Sequence, residues 1–260
     1  MRIAFIGDVV GKSGRRAVAE LFSPLKKQRK IDFTIANVEN VAGGFGIVPK
    51  AIDELQAAGV DFFTSGNHVW DNREGVPMLD ERANIIRPAN YPGASPGTGW
   101  RIVEVTGHPI AVINVQGRVF MPPIDCPFRT VDRVLSEIGE KSRITIVDVH
   151  GEATSEKVAM GWYLDGRASL VIGTHTHVPT KDCRVFPRGT GYVTDVGMSG
   201  AYDSILGVDK KAVLQRFMEM RPCKFQVARG DIRCDLVIAD IDPTTGKLVE
   251  FEHLQLKQEA

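Results

Sequence analysis

The amino-acid sequence predicts an α/β fold in which two packed β-sheets are flanked by helices. Three observations carry this expectation. Short apolar strand candidates alternate with helical segments over residues 2–64, a pattern that favours some parallel pairing with helices on the sheet faces. Strand candidates at 100–105 and 110–115, joined by Thr106-Gly107-His108-Pro109, add a hairpin. Buried strand candidates at 144–149 and 170–173 then flank a further helical segment, and two packed sheets are the simplest arrangement for them all.

Residues 2–6 are an apolar run that ends at Gly7. Residues 14–30 carry helical periodicity through Val18, Leu21, Phe22 and Leu25, with a break or kink expected at Pro24. A second strand is expected over 32–38, and a helix over 49–58 with Pro49 at its start and Gly59 just past its end. Residues 60–64 give a third strand, and 87–99, dense in Pro and Gly, must be loop. Helices are expected over 130–139 and 155–162, and further strands at Val185, at Tyr192-Val193 and over 236–241. No internal repeat, low-complexity tract or linker interrupts the chain. Residues 1–260 are therefore expected to form one domain, long enough to bury a sizeable core.

Composition narrows the partners. Hydrophobic residues at 43% and charged residues at 25% are globular proportions. Lys plus Arg equals Asp plus Glu at 32 each, so bulk charge gives no support to stable nucleic-acid binding, and aromatic residues, at 7%, offer few stacking platforms. The first residues read as a strand running into polar residues instead of an apolar leader, and no apolar run is long enough to span a bilayer. Cys126, Cys183, Cys223 and Cys234 are scattered without C-x-x-C spacing, as in reduced cytoplasmic proteins. A cytoplasmic protein that self-associates is expected.

The residues that promise chemistry fall where strands end. Five runs deliver Gly7-Asp8, Glu39-Asn40, Ser65-Gly66-Asn67-His68, His150-Gly151-Glu152 and Gly173-Thr174-His175-Thr176-His177. Strand C-termini of open α/β sheets converge on one crevice, so these segments are expected to meet. The donors on offer are carboxylate oxygen, amide oxygen and imidazole nitrogen without thiolate, which suits borderline divalent ions. They are too numerous for one catalytic ion with an open position and suit two bridged by a carboxylate. His175 and His177, at i and i+2, point the same way in an extended chain and can serve different ions in a sharp turn. Asp148 and Glu152 read as structural, with orientation of a ligand imidazole as their functional option. Gly7 to Ser13 is not a phosphate-binding loop, because only Asp8, Val9 and Val10 lie between its glycines.

In this order Asp8, Gly66-Asn67-His68, His150 and Gly173-Thr174-His175-Thr176-His177 resemble the motifs of the calcineurin-like metallophosphoesterases. Three departures stand out. Val10 occupies the place of the usual first histidine, Asn37-Val38-Glu39-Asn40 stands where that superfamily usually has Gly-Asp-x-x-Asp, and Val69-Trp70 separate His68 from the acid Asp71. With these departures the chain is similar to the YmdB-type bacterial branch. The likeness extends through Asn114-Val115-Gln116-Gly117-Arg118, Trp162-Tyr163-Leu164-Asp165-Gly166 and Thr194-Asp195-Val196-Gly197-Met198.

The resemblance implies a sandwich of two mixed β-sheets flanked by helices, and a binuclear metal-dependent phosphodiesterase acting on 2',3'- or 3',5'-cyclic nucleotides. It places Asp8, Glu39, Asn40 and His177 on one ion and Glu39, Asn67, His150 and His175 on the other, with Glu39 bridging. Iron or manganese is the expected metal, with zinc and magnesium left open. A bridging hydroxide would attack phosphorus, His68 would protonate the leaving oxygen, Asp71 would orient His68, and Arg118 would touch the substrate phosphate. Two rivals compete: a phosphomonoesterase or nucleotidase on the same site, and a non-enzymatic regulatory module that interacts with RNA.

Overall fold

The computed structural model describes residues 1–257. The strands are β1 (Arg2–Ile6), β2 (Asp8–Val9), β3 (Phe33–Asn37), β4 (Phe62–Thr64), β5 (Trp100–Val105), β6 (His108–Gln116), β7 (Ile144–His150), β8 (Leu170–Thr174), β9 (Arg184–Val185), β10 (Gly191–Val193), β11 (Met198–Ala201), β12 (Ile232–Ile241) and β13 (Leu248–Lys257). The helices are α1 (Gly11–Ala17), α2 (Ser23–Arg29), α3 (Pro49–Ala57), α4 (Met78–Glu81), α5 (Pro127–Ile138), α6 (Thr154–Tyr163) and α7 (Lys210–Glu219).

Among the described residues two sheets form, of seven and six strands. In the first, β1, β3 and β4 run parallel, and β12 lies antiparallel to β1 and β11 along one edge and to β13 along the other. In the second, β6, β7, β8 and β10 run parallel, with β5 and β9 antiparallel at its edges. Both sheets are mixed, as expected.

The layering follows from what alternate side chains bury. On β1, Ile3 and Phe5 join Ile35 and Phe62 in facing Ile110, Val112, Ile146, Leu170 and Ile172 of the other sheet. The intervening Ala4 and Ile6 pack with Ala17, Ile52 and Leu55 on the helical side. In the second sheet, Ile113, Val147, Val149 and Val171 turn outward onto Val131, Val134 and Ile138 of α5 and Met160 of α6. Strands β3, β7 and β8 are buried at every position, which is why they read as near-continuous apolar runs. The parallel strands of both sheets present their C-terminal ends at one edge of the sandwich.

Two local expectations need correction. The helix expected over 14–30 starts at Gly11, passes through a π-helical turn at Val18–Phe22 and continues as α2. Pro24 stands just after that turn, inside a helix that runs on through Phe22 and Ser23; its missing N–H and its ring disturb the turn before it, so the break expected at Pro24 is the π-helical turn itself. In the hairpin, β6 begins at His108, and only Thr106 (φ 47°) and Gly107 (φ 82°) make the turn. That is the two-residue connection whose twist matches the strands. The sequence did not reveal β2, β11, β13, α4 or α7.

Ile146 is fully buried between the sheets. Ile146→Ala should lower unfolding stability by about 2–5 kcal/mol, because the cavity adds to the lost transfer energy, read as a shifted urea midpoint with an unchanged slope.

Candidate metal centre

Asp8 is delivered by β2, just past β1 and Gly7. Glu39 and Asn40 follow β3, Asn67 and His68 follow β4, His150 ends β7, and His175 and His177 follow β8. All of these segments arrive at the same edge, and the side chains meet. The Glu39 Oε1 oxygen lies 3.1 Å from His150 Nε2 and accepts from Asn40 Nδ2 at 3.1 Å. His150 Nε2 also lies 3.1 Å from Asn67 Oδ1 and 3.1 Å from His175 Nδ1. Asn40 Nδ2 is 3.2 Å from His177 Nε2, which stands 3.9 Å from Asp8 Oδ1. All seven ligand candidates are therefore gathered in one chain of contacts, with Glu39 at its middle.

Close approach is built into the backbone. A Cβ on Gly66 would sit 2.2 Å from His150 Nε2 and 2.5 Å from Glu39 Oε2, so only glycine lets the loop after β4 pass this near.

The tautomers are set by neighbours. Thr174 Oγ1 donates to Asp148 Oδ1 at 2.7 Å and so accepts from His150 Nδ1 at 2.9 Å. This leaves Nε2 of a neutral His150 as a lone pair aimed at Glu39 and Asn67. Asp148 is itself held by Thr64 Oγ1 at 2.5 Å and Asn37 Nδ2 at 3.2 Å, and burial lifts its carboxyl to about 6. His177 Nδ1 donates to the Leu206 carbonyl at 3.1 Å, which again leaves Nε2 facing the cluster. Glu152 Oε2 lies 3.2 Å from His175 Nε2. Asp148 and Glu152 thus hold the two candidate imidazoles, one through Thr174 and one directly, in the arrangement by which carboxylates commonly orient metal-binding histidines.

The donor set fits divalent cations. Glu39 is 1% exposed and Asp8 0%, and Asp8 Oδ1 has no hydrogen-bond partner among the described residues. A buried carboxylate left in this state is costly unless a cation joins it. Glu39, His150 and His175 place one donor atom each within 4.8 Å of one another. Protons otherwise carry the compensation. Burial disfavours charge on both Glu39 and His150, but their mutual attraction prevails, holding the Glu39 carboxyl low and raising the His150 imidazole. Burial, and then the charge on His150, push the His175 imidazole down to about 3. Burial raises the Asp8 carboxyl. A cation held by His150 would be bound in competition with a proton.

His175 (φ 102°) and His177 (φ 64°) are both in the left-handed region, a strain on the order of 1–3 kcal/mol each. The turn is sharp, and the two imidazoles have different partners: His150 for His175, and Asn40 with Asp8 for His177. The turn is held from behind. The His175 amide donates to Asp8 Oδ2 at 3.0 Å. Thr176, between the histidines, gives its amide (3.0 Å) and hydroxyl (2.8 Å) to Asp195 Oδ2, which also pairs with buried Lys157 at 2.8 Å. No pattern in the sequence signals the Lys157–Asp195 pair, because the two residues lie on α6 and after β10 and meet only in the folded chain.

His68 stands at the rim with its Nδ1 2.7 Å from Asp71 Oδ2, so the two intervening residues do not prevent the pairing. Its amide donates to Glu39 Oε2 at 2.9 Å. Its ring packs against Phe45, with centroids 4.7 Å apart. A cleft of about 270 Å³ opens here, lined by Glu39, Asn40, His68, His175 and His177 among others. Arg118 follows Gly117, whose amide donates to the His150 carbonyl at 2.9 Å; the Arg118 guanidinium touches Cys126 Sγ at 3.4 Å, and Arg118 is not among the described residues that line the cleft.

A profile of the YmdB-like protein family matches residues 4–254. The 2',3'-cyclic-nucleotide 2'-phosphodiesterase of Bacillus subtilis (strain 168) is 47% identical over 259 residues, which span 100% of this chain and 98% of that protein. The crystal structure of a hypothetical protein from Thermus thermophilus superposes with a TM-score of 0.94 at 44% identity, over 100% of both chains. That of a novel phosphatase from Mycoplasma pneumoniae superposes with a TM-score of 0.93 at 29% identity, over 100% of this chain and 94% of the other.

Gly66→Ala should cut the bound divalent metal of purified, manganese-reconstituted protein well below wild type, measured by elemental analysis, because its methyl group would displace His150 or Glu39 while the core remains intact.

Proposed function

We propose a function from one premise: the chain belongs to the YmdB-like protein family. It is a metal-dependent phosphodiesterase that opens the ring of cyclic nucleotides, 2',3'-cyclic phosphates first among them. The observation that carries this reading is the meeting of Asp8, Glu39, Asn40, Asn67, His150, His175 and His177 beside a His68–Asp71 pair, in a cleft open to solvent. The 2',3'-cyclic substrate is supported by the activity of the Bacillus subtilis relative, 47% identical over the whole chain.

Asp8, Glu39, Asn40 and His177 would hold one ion, and Glu39, Asn67, His150 and His175 a second, with the Glu39 carboxylate shared. Oxygen and imidazole donors without thiolate favour iron or manganese. When bound, such ions supply Lewis acidity to phosphoryl oxygens and acidify coordinated water.

The chain's own residues do the rest. Hydrolysis adds water at phosphorus and breaks one bond from phosphorus to a ribose oxygen, so the departing alkoxide needs a proton. His68 is the residue placed to give it. With Nδ1 committed to Asp71, its Nε2 is the free ring nitrogen, and the 2.9 Å bond from its amide to Glu39 Oε2 fixes its backbone against the ligand set. Asp71 holds the ring in the orientation that leaves Nε2 towards the cleft. The strained His-Thr-His turn, braced by Asp8 and Asp195, keeps His175 and His177 from relaxing away from the cluster.

A positioned proton donor contributes roughly 10²–10⁴-fold. His68→Ala should therefore lower kcat on 2',3'-cyclic AMP by about that factor while retaining wild-type metal content; loss of the metal as well would make His68 a ligand and overturn its assignment. Wild-type protein should hydrolyse bis-p-nitrophenyl phosphate, lose that activity on chelation and regain it with manganese or iron. Faster turnover of p-nitrophenyl phosphate than of the diester would instead identify a phosphomonoesterase.

A further inference from the structure

We propose that Phe45 is the platform on which the nucleobase of the substrate stacks, an inference that rests on the cyclic-nucleotide reading of the site. Phe45 is a large apolar side chain left 41% exposed at the cleft that holds the ligand candidates. Its ring lies 4.7 Å, centroid to centroid, from the ring of His68. If His68 protonates a ribose 2'- or 3'-oxygen, the base is attached to the same sugar ring, one carbon beyond C2'. A group that binds the base must therefore lie close to His68, and Phe45, in contact with its ring and partly exposed in the same cleft, does.

The loop presents Phe45 as a fixed surface instead of a loose flap. The Ala42 amide closes the turn onto the Gly46 carbonyl at 3.1 Å, and Arg15 anchors its start through the Val41 carbonyl at 2.6 Å. Gly44 (φ 106°) and Gly46 (φ 78°) take backbone conformations that side chains resist, and a Cβ on Gly46 would meet Asn72 at 2.7 Å. These constraints hold Phe45 outward although burial would favour turning it in. The same cleft carries further apolar lining from Val10, Leu206 and Val208, and Leu206 is 48% exposed.

The polar groups of the cleft are already assigned to metal, proton transfer or their support. The base therefore meets an apolar surface without a dedicated set of hydrogen-bonding side chains. Recognition by stacking accepts every base, because each has a π-face. The structure thus assigns to this site broad tolerance of the base, with purines bound more tightly than pyrimidines for their larger ring area.

The test compares manganese-loaded wild type, Phe45→Ala and Phe45→Trp on 2',3'-cyclic AMP and on methyl riboside 2',3'-cyclic phosphate, which lacks a base. Equilibrium binding of adenosine 3'-monophosphate is measured alongside. Phe45→Ala should raise KM for the nucleotide, and weaken binding of the monophosphate, by roughly tenfold. Metal content should stay at the wild-type level, the loss on the base-free diester should be several-fold smaller than on the nucleotide, and Phe45→Trp should restore tight nucleotide binding. An equal loss on both diesters, or no change on either, would overturn the stacking role while leaving the phosphodiesterase reading intact. Failure of the wild type to hydrolyse either diester would overturn that reading itself, and the stacking role with it.

Discussion

The architecture of the reactive edge depends on one constraint: the Glu39 carboxylate is 1% exposed and cannot remain uncompensated. It leaves the end of β3 in the first sheet and reaches Nε2 of His150 at the end of β7 in the second. The interaction therefore ties together the two halves of the sandwich at the point where neither sheet closes the gap between them. Asp8, buried with Oδ1 lacking a hydrogen-bond partner among the described residues, adds a second carboxyl group to the same space. Hydrophobic packing between the sheets supplies the stability that allows this. Residues such as Phe5, Ile35, Ile146 and Ile172 fill the interior just below the cluster, so the cost of gathering carboxylates and strained histidines is borne by a rigid scaffold.

That rigidity explains why the bracing is as well developed as the ligand set. His150 is aimed by Thr174 and Asp148, with Thr64 and Asn37 behind them, and each link is a hydrogen bond between buried groups. The His-Thr-His turn would relax if Thr176 were free, and Asp195 holds it by two hydrogen bonds while Lys157 neutralises Asp195 from the other side. A buried ion pair such as Lys157–Asp195 adds little net stability when compared with apolar packing. Its value here is positional, since it fixes where a strained backbone segment can lie.

Much of this was legible in the sequence for a physical reason. Strands covered on both faces must be apolar throughout, so β1, β3, β7 and β8 announce themselves, and a polar residue that follows such a run is conspicuous. The ligand candidates were found in that way, and all seven are gathered in the folded chain. The edges were not legible. β13 is mostly exposed or half-buried and carries Glu250, Glu252, His253, Gln255 and Lys257, a composition that resembles solvated surface, and only pairing with β12 makes it a strand. β11, Met-Ser-Gly-Ala, has weak strand propensity and forms because β2 and β12 offer it hydrogen bonds. Arg118 was expected at the substrate phosphate. In the fold its guanidinium is directed to Cys126, because residue type tells nothing of the direction a loop side chain takes.

The same contrast separates chemistry from specificity. Cation binding needs buried donors of few types on rigid strand ends, and such residues leave a strong trace in a sequence. Recognition of the rest of a substrate falls to loops, where one exposed aromatic residue between glycines is ordinary until its neighbour is known. Phe45 became meaningful only when its ring was seen against that of His68, twenty-three positions away in the chain. The apolar residues that share its cleft, Leu206 and Val208, come from a segment more distant still. A metal-dependent phosphodiesterase can thus be inferred from strand ends, whereas the part of the site that distinguishes one phosphate ester from another exists only once distant loops have been folded onto the same edge.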